Sequence, residues 1–364
     1  MARTLSATLL AAQKATSRIP YIRVVINSVD YSSKVLFVEH HEEPYSDYAT
    51  IVLNNADRGL DSVATLTTNL LGRRFGIGYG YTTGAGNEYS ESADLWVKQQ
   101  KMVSMPGSLT CELYCEGQWE YLSEQRLMAG VTGGMAIGDP DEVGDDPYFI
   151  SVFERTHTVY ELLEMVLGAA GAFGTTPGMT LSAAPSPDDD ILSEFKPYFT
   201  LDGLPYASEV LRRLIIMAKC YLRPRANLVW QVVYPQTSDA ADATYYSRST
   251  DALSNNEMVF KSYAEALNLV IPNRYVVFCN NPDDLEEWPE PVMVGDSGAY
   301  SGNYDEVLDF QVDGTIILQG DANKRAAALL TRRKAEGLAG YLIIPHDARV
   351  EMYDKVEVND QRGH

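Results

Sequence analysis

The chain has 364 residues, 45% of them hydrophobic, so it can bury sizeable cores and divide into two to four domains. Fifty acidic against 29 basic residues leave a net charge of -21, which argues against stable binding to nucleic-acid phosphates and to anionic membrane surfaces. Four cysteines without CxxC spacing argue against a disulfide scaffold and a zinc knuckle, and are expected to be buried or half-buried free thiols in a reduced compartment.

Residues 1–20 read as a short helical N-terminal arm: the apolar run Leu5–Ala12 gives way to Gln13, Lys14 and Arg18 without a small-residue cleavage site. No run approaches eighteen apolar residues, so no membrane insertion is expected. From Tyr21 to Asp57 the alternation predicts three strands separated by Asn-Ser, Ser-Ser and Glu-Glu-Pro turns. A glycine-rich stretch, Gly72–Ser92, leads to strands near Leu95–Val103 and Ser108–Glu116, and Trp119–Leu127 reads as a short helix or turn. These elements predict a first β-barrel-like domain over residues 21–137.

The acidic loop Gly138–Pro147 marks a boundary. Beyond it, Val159, Leu162, Leu163 and Val166 fall on one helical face of Thr158–Ala170. A second helix is predicted over Tyr206–Tyr221, then a strand over Asn227–Tyr234, giving an α+β domain over residues 148–262. From Ser262 the β pattern returns in Leu267–Cys279. A C-terminal helix (KRAAALLTRRKAEGLAG), an apolar strand (YLIIP) and the alternating segment Val350–Val358 complete a third domain, residues 263–364. In that last segment Val350, Met352, Val356 and Val358 share a face with Asp354, a lone carboxylate that demands a hydrogen-bonded partner.

The motifs that could carry chemistry all have a plainer reading. Gly295-Asp296-Ser297-Gly298 looks like a serine-protease nucleophile segment, but a triad needs a histidine in its own context, and none of the five has it. Gly76-Ile77-Gly78-Tyr79-Gly80 lacks the Gly-Lys-Ser/Thr of a phosphate loop and reads as hairpin. His40 and His41, adjacent in a strand, point to opposite faces and cannot share one metal ion. The acid runs Asp188–Asp190 and Asp283–Glu287 read as solvated loops. Tyr79, Tyr81 and Tyr89, set among Gly, Thr and Ser, form a candidate contact loop. No catalytic residue, metal or cofactor is expected.

Several segments resemble phage tail baseplate-hub (tail-tip hub) proteins. They are "LSATLLAAQ…RIPYIRVVI", "ATIVLNNADR", "HTVYELLEMVLGAAG", "VLRRLIIMAKCYLR…LVWQVV", Asn273-Arg274-Tyr275-Val276-Val277, and the closing helix and strands from Arg325 to Asp360. The resemblance implies an α+β, β-rich fold in which two β-barrel-like tube domains flank an inserted α+β domain. It also implies a non-enzymatic structural protein of the virion tail tip, made in the host cytoplasm. Its expected state is a homotrimer that adapts a hexameric tail tube to the tip and conducts DNA through its lumen without specific binding. The expected neighbours are a tail-tube or distal tail protein and a tip, spike or fibre protein. Asp354, Tyr353, Asn273 and Arg274 are the structural or assembly candidates. Two other readings remain, a tail-associated cell-wall hydrolase and a host-binding tail adhesin.

Overall fold

The computed structural model describes residues 3–61, 68–127, 151–169, 178–182, 190–201, 205–236, 238–279, 293–298, 305–314, 316 and 318–361. The N-terminal arm forms helix α1 (Ala7–Lys14), capped by the Ser6 hydroxyl, which accepts from Leu9 N. Strands β1 (Pro20–Ile26), β2 (Val29–Asp30), β3 (Val35–Glu43), β4 (Ser46–Asn54), β5 (Arg74–Thr83), β6 (Gly86–Met105) and β7 (Ser108–Glu116) follow. They make one sheet in the order β2-β1-β5-β6-β7-β4-β3. Period-2 alternation sends Val24 and Ile26, then Ala49, Ile51 and Leu53, then Cys111, Leu113 and Cys115 to the inner side, where they share one core. At twenty residues β6 pairs with β5 through its first half and with β7 through its second, so the two wings fold over that common core. Bulges at Gly76/Gly78 and Val97/Gln99 sharpen the bend.

The expected barrel is corrected here to an open sheet. Its terminal strands β2 and β3 do not pair with each other among the described residues, because β2 is only two residues long. The expected second barrel is likewise open. Among the described residues the C-terminal part forms separate small sheets: β15 (Ser262–Leu267) with β19 (Leu338–Ile343), and β16 (Arg274–Cys279) between β17 (Met293–Asp296) and β18 (Leu308–Asp313).

Between them lie α2 (Gln118–Glu124), β8 (Ser151–Glu154), α3 (Val159–Ala169), β9 (Thr180–Leu181), α4 (Asp190–Ser193), β10 (Tyr198–Leu201), α5 (Ala207–Ile215), β11 (Tyr221–Arg225), β12 (Val229–Val233), β13 (Ala243–Tyr246), α6 (Ser249–Ser254) and β14 (Met258–Val259). Helix α5 ends earlier than its sequence pattern predicts, since Met217, Ala218 and Cys220 are buried as the chain turns into β11. Trp119 and Trp230 meet edge-to-face, 4.8 Å apart, at the centre of the largest core. That core also takes Val277 and Cys279 from β16 and Ala322, Ala326 and Ala328 from α7 (Gln319–Glu336).

The last strand, β20 (Val356–Asn359), lies parallel to β13. It covers only the end of the nine-residue alternation. Upstream, Glu351 and Asp354 close a turn through Asp354 N to Glu351 O and Glu351 N to the Asp354 carboxylate. Two positions exchange inside and outside: Glu351 is buried and Val356 is exposed, while Val350 and Val358 still pack against a small core. Ion pairing inside the fold, not apolar periodicity, sets this segment.

Candidate functional site

The densest constellation of polar side chains joins the seven-stranded sheet to residues 346–355. Its first part surrounds Arg223, on β11 and 1% exposed. Arg223 donates to Asp354 Oδ1 at 2.7 Å, to Met352 O at 2.9 Å and to Gln231 Oε1 at 2.9 Å. Glu351 accepts from Arg3 at 2.9 Å, pairs with Arg225 and lies 3.6 Å from Arg223. With Glu42 near Arg3, three guanidinium groups face three carboxylates; Arg223, Glu351 and Asp354 are buried among them, while Glu42 and Arg225 stay partly exposed. Burial alone would raise the Glu351 pKa; the arginine charges and bonds outweigh it and hold it below its ordinary value.

The second part centres on Asp347, which accepts from Gln13 at 2.9 Å, from Tyr245 Oη at 3.1 Å and from Arg349. Arg349 also reaches Glu257. This ties α1, β13 and the C-terminal segment together.

The third part is a file of side chains across the sheet. His40 on β3 contacts Asp47 Oδ1 on β4 through Nε2 at 2.8 Å and Tyr79 Oη on β5 through Nδ1 at 2.9 Å. His346 stacks on Tyr79 with ring centroids 4.5 Å apart. A cleft of about 320 Å³ opens beside them, lined by Arg3, His40, Glu42, Tyr79, His346 and Asp347. The order Tyr-His-Asp is that of a charge relay, yet burial pushes the Tyr79 phenol well above its ordinary pKa. His346 covers one side of its ring, and His40 meets its hydroxyl. The file joins β3, β4 and β5 to the C-terminal segment.

The residues singled out in the sequence are spread over the molecule. Asp354 has its partner in Arg223, and its side chain is fully buried. Tyr353 sits at φ 71°, a left-handed conformation uncommon for a tyrosine, and stacks on Tyr221 at 4.7 Å. Asn273 is wholly buried; it donates to Asp305 O at 3.0 Å and accepts from Val307 N at 2.8 Å, fixing the approach to β18. Arg274 lies at the surface between Asp296 and Glu306. The candidate contact loop is a regular β5–β6 hairpin: Tyr81 is buried and donates to His346 O at 2.8 Å, Tyr79 faces inward, and Tyr89 alone of the three is exposed. Ser297 of the protease-like segment accepts from Tyr275 N, with no histidine among its recorded partners. His41 points away from His40 and stacks on Tyr48. No group of three or more metal-binding side chains is found among the described residues. The acidic loop 138–147 and the run 283–287 lie outside the described residues, as do 188 and 189.

Sequence reasoning missed Arg223, Glu351, His40 and Asp47. One signal was available: Arg223-Pro224-Arg225 places two guanidinium groups in a strand bounded by apolar residues, and a strand with one wet face rarely buries an arginine without a carboxylate to meet it.

In fold, the chain is similar to phage tail proteins. A tail protein from Neisseria meningitidis MC58 matches with a TM-score of 0.58 at 9% identity, covering 95% of this chain and 88% of that one. The 43 kDa tail protein of prophage MuSo2 from Shewanella oneidensis matches with a TM-score of 0.56 at 9% identity, over 94% of this chain and 89% of that one. No protein-family model and no curated protein sequence matches.

Proposed function

We propose that the chain is the structural hub of a phage tail tip or baseplate. Three copies form a ring that joins the hexameric tail tube to a tip, spike or fibre protein and lets DNA pass. The observation that carries the reading is the fold, shared over nearly the whole chain with two tail proteins. The division into an arm (1–20), two tube domains (21–137 and 263–364) and an insertion (148–262) belongs to the same proposal. So does a role in the virion that is architectural and not catalytic.

Two local features support it. The first is the ion-paired joint, in which Arg3 of the N-terminal arm and Arg223 of β11 meet Glu351 and Asp354 of the C-terminal segment. The second is an apolar stripe on β18, where Leu308, Phe310 and Val312 are 54%, 62% and 62% exposed on a strand with one edge unpaired among the described residues. Exposed apolar surface of this kind marks contact with another protein. The net charge of -21 fits a wall past which DNA slides without adhering.

Light scattering on the purified chain is expected to give a trimer, and electron microscopy of the particle to place it as a ring at the end of the tube. A monomer that stays monomeric at micromolar concentration overturns the hub. Clearing of cell walls that is lost on changing a single carboxylate supports the hydrolase in its place.

A further inference from the structure

Asp47 is 3% exposed, and its Oδ2 is buried without a hydrogen-bond partner. The buried Oε2 of Glu120 on α2 is in the same condition, while Glu120 Oε1 accepts from Asp47 N at 3.0 Å and from Ser46 Oγ at 2.8 Å. Two neighbouring carboxyl groups therefore each hold one unsatisfied oxygen away from water. Burying the Asp47 carboxylate as an anion beside Glu120 is costly, and a proton on Asp47 removes much of the cost. The Asp47 side chain lies against Gly117, where an added Cβ would fall 2.5 Å from its own Cβ. On its other side Asp47 meets His40, which reaches Tyr79, which in turn stacks on His346.

We propose that His40 and Asp47, with Glu120 beside them, form a proton-binding latch that fastens the seven-stranded sheet to the C-terminal segment at His346. Protonation of Asp47 relieves its repulsion by Glu42 and Glu120 and tightens the latch, and loss of that proton as the pH rises toward neutral loosens it. The histidine keeps both contacts in either form: charged, it donates from both nitrogens; neutral, it donates from Nε2 to Asp47 and accepts from the Tyr79 hydroxyl.

The facing charges come from every packed element. Glu42 and Glu43 lie on β3 and Glu120 on α2. Arg3 comes from the N-terminal arm and Arg223 from β11; His346, Asp347 and Glu351 come from the C-terminal segment. Burial pushes the Asp47 carboxyl up to about 6, reinforced by Glu42 and Glu120 and opposed by its bond to His40. For His40, burial works downward, but the Asp47 bond with the Asp47 and Glu42 charges leaves it above its ordinary value. A raised folded pKa adds stability that is full below the unfolded value and is lost as pH rises through the folded one. For Asp47 that loss runs from about pH 4 to about pH 6, and for His40 it lies above the ordinary imidazole value, so most of the combined loss lies above pH 5. Glu351 and Asp347, held low, lose their contribution only in acid, below about pH 5. His346 is also held low, by burial and by the Arg3 and His40 charges, and stays largely neutral above about pH 5.

The test is thermal unfolding at pH 5 and pH 8 of the wild-type chain, Asp47→Asn and Glu120→Gln, with trypsin cleavage within residues 344–355 followed at both pH values. The wild-type melting temperature is expected to drop by roughly 2–4 °C more than that of either variant over this range, and wild-type cleavage to quicken between pH 5 and pH 8 by more than that of either variant, which carries the same change in trypsin's own activity. Should Asp47→Asn fail to fold, Glu120→Gln reads the same repulsion. Equal pH slopes in all three proteins overturn the latch; a slope change without altered cleavage overturns the fastening. These readouts do not depend on ring formation, so their failure leaves the hub untouched, and a monomeric chain leaves the latch untouched.

Discussion

Asp354 and Arg274 set out what an ion pair is worth in this protein. Asp354 is sealed from water against Arg223, so Asp354→Ala strands a guanidinium in the interior. Removing one member of a buried pair costs roughly 3–5 kcal/mol. The lower end applies here, because Glu351, Gln231 and Met352 O still surround Arg223. The substitution should lower the melting temperature by several degrees and reduce the yield of assembled protein. An unchanged melting temperature together with normal assembly would contradict the role assigned to the pair. Arg274 is bonded to two carboxylates at the surface, where water and salt screen the interaction. Arg274→Ala should leave the melting curve where it is, and a drop matching that of Asp354→Ala would show that surface pairing carries the fold after all. That Asp354 needs a partner is legible in one strand of sequence. Which residue supplies it is not, because Arg223 lies 131 positions away and meets Asp354 only in the folded chain.

At the scale of elements, the sequence tells most where periodicity alone decides the outcome. β4 alternates buried and open positions along Asp47–Leu53, and α3 buries Val159, Leu162, Leu163 and Val166, as their spacing predicts. It tells least where a long-range contact replaces the pattern, as at Val350–Val358 and at the end of α5. The α5 terminus shows the mechanism: Arg332 from α7 donates to the carbonyls of Ile215, Ala218 and Cys220 at 2.9, 3.2 and 3.2 Å, completing the bonding of a helix end that its own sequence does not cap. Gly295 is a second case. In sequence it belongs to a protease-like loop; in the fold it is the point where α7 lies against β17, and a Cβ there would fall on the backbone of Ala322. Gly295→Ala should therefore force the helix off the sheet and destabilise the C-terminal part, by about 1–3 kcal/mol as for other overpacked sites. Loss of hydrogen-exchange protection in α7 and β16, with β1–β7 unaffected, is the expected signature. Protection that matches the wild type throughout would show that the close approach is dispensable.

For the whole molecule the question is what would draw copies together against their charge in the proposed ring. Three copies at -21 each repel one another strongly at low salt, where the screening length is about 30 Å at 0.01 M, and much less at 0.15 M, where it is about 8 Å. The apolar residues exposed around β18 and β19, among them Phe310, Val312, Tyr341 and Ile343, offer an attraction that ordinary salt does not screen. If such surfaces hold the ring, raising the salt from 0.01 to 0.15 M should tighten association, by roughly tenfold in dissociation constant or about 1.4 kcal/mol. A ring held by opposite charges would respond in the other direction. Sedimentation across a salt series distinguishes the two, and weakening with salt would mean that the acidic surface meets a basic one across the interface. The sign of the salt response thus reports whether the charge faces a neighbouring copy or an open lumen, which composition alone leaves undecided because it gives the amount of charge and not its direction.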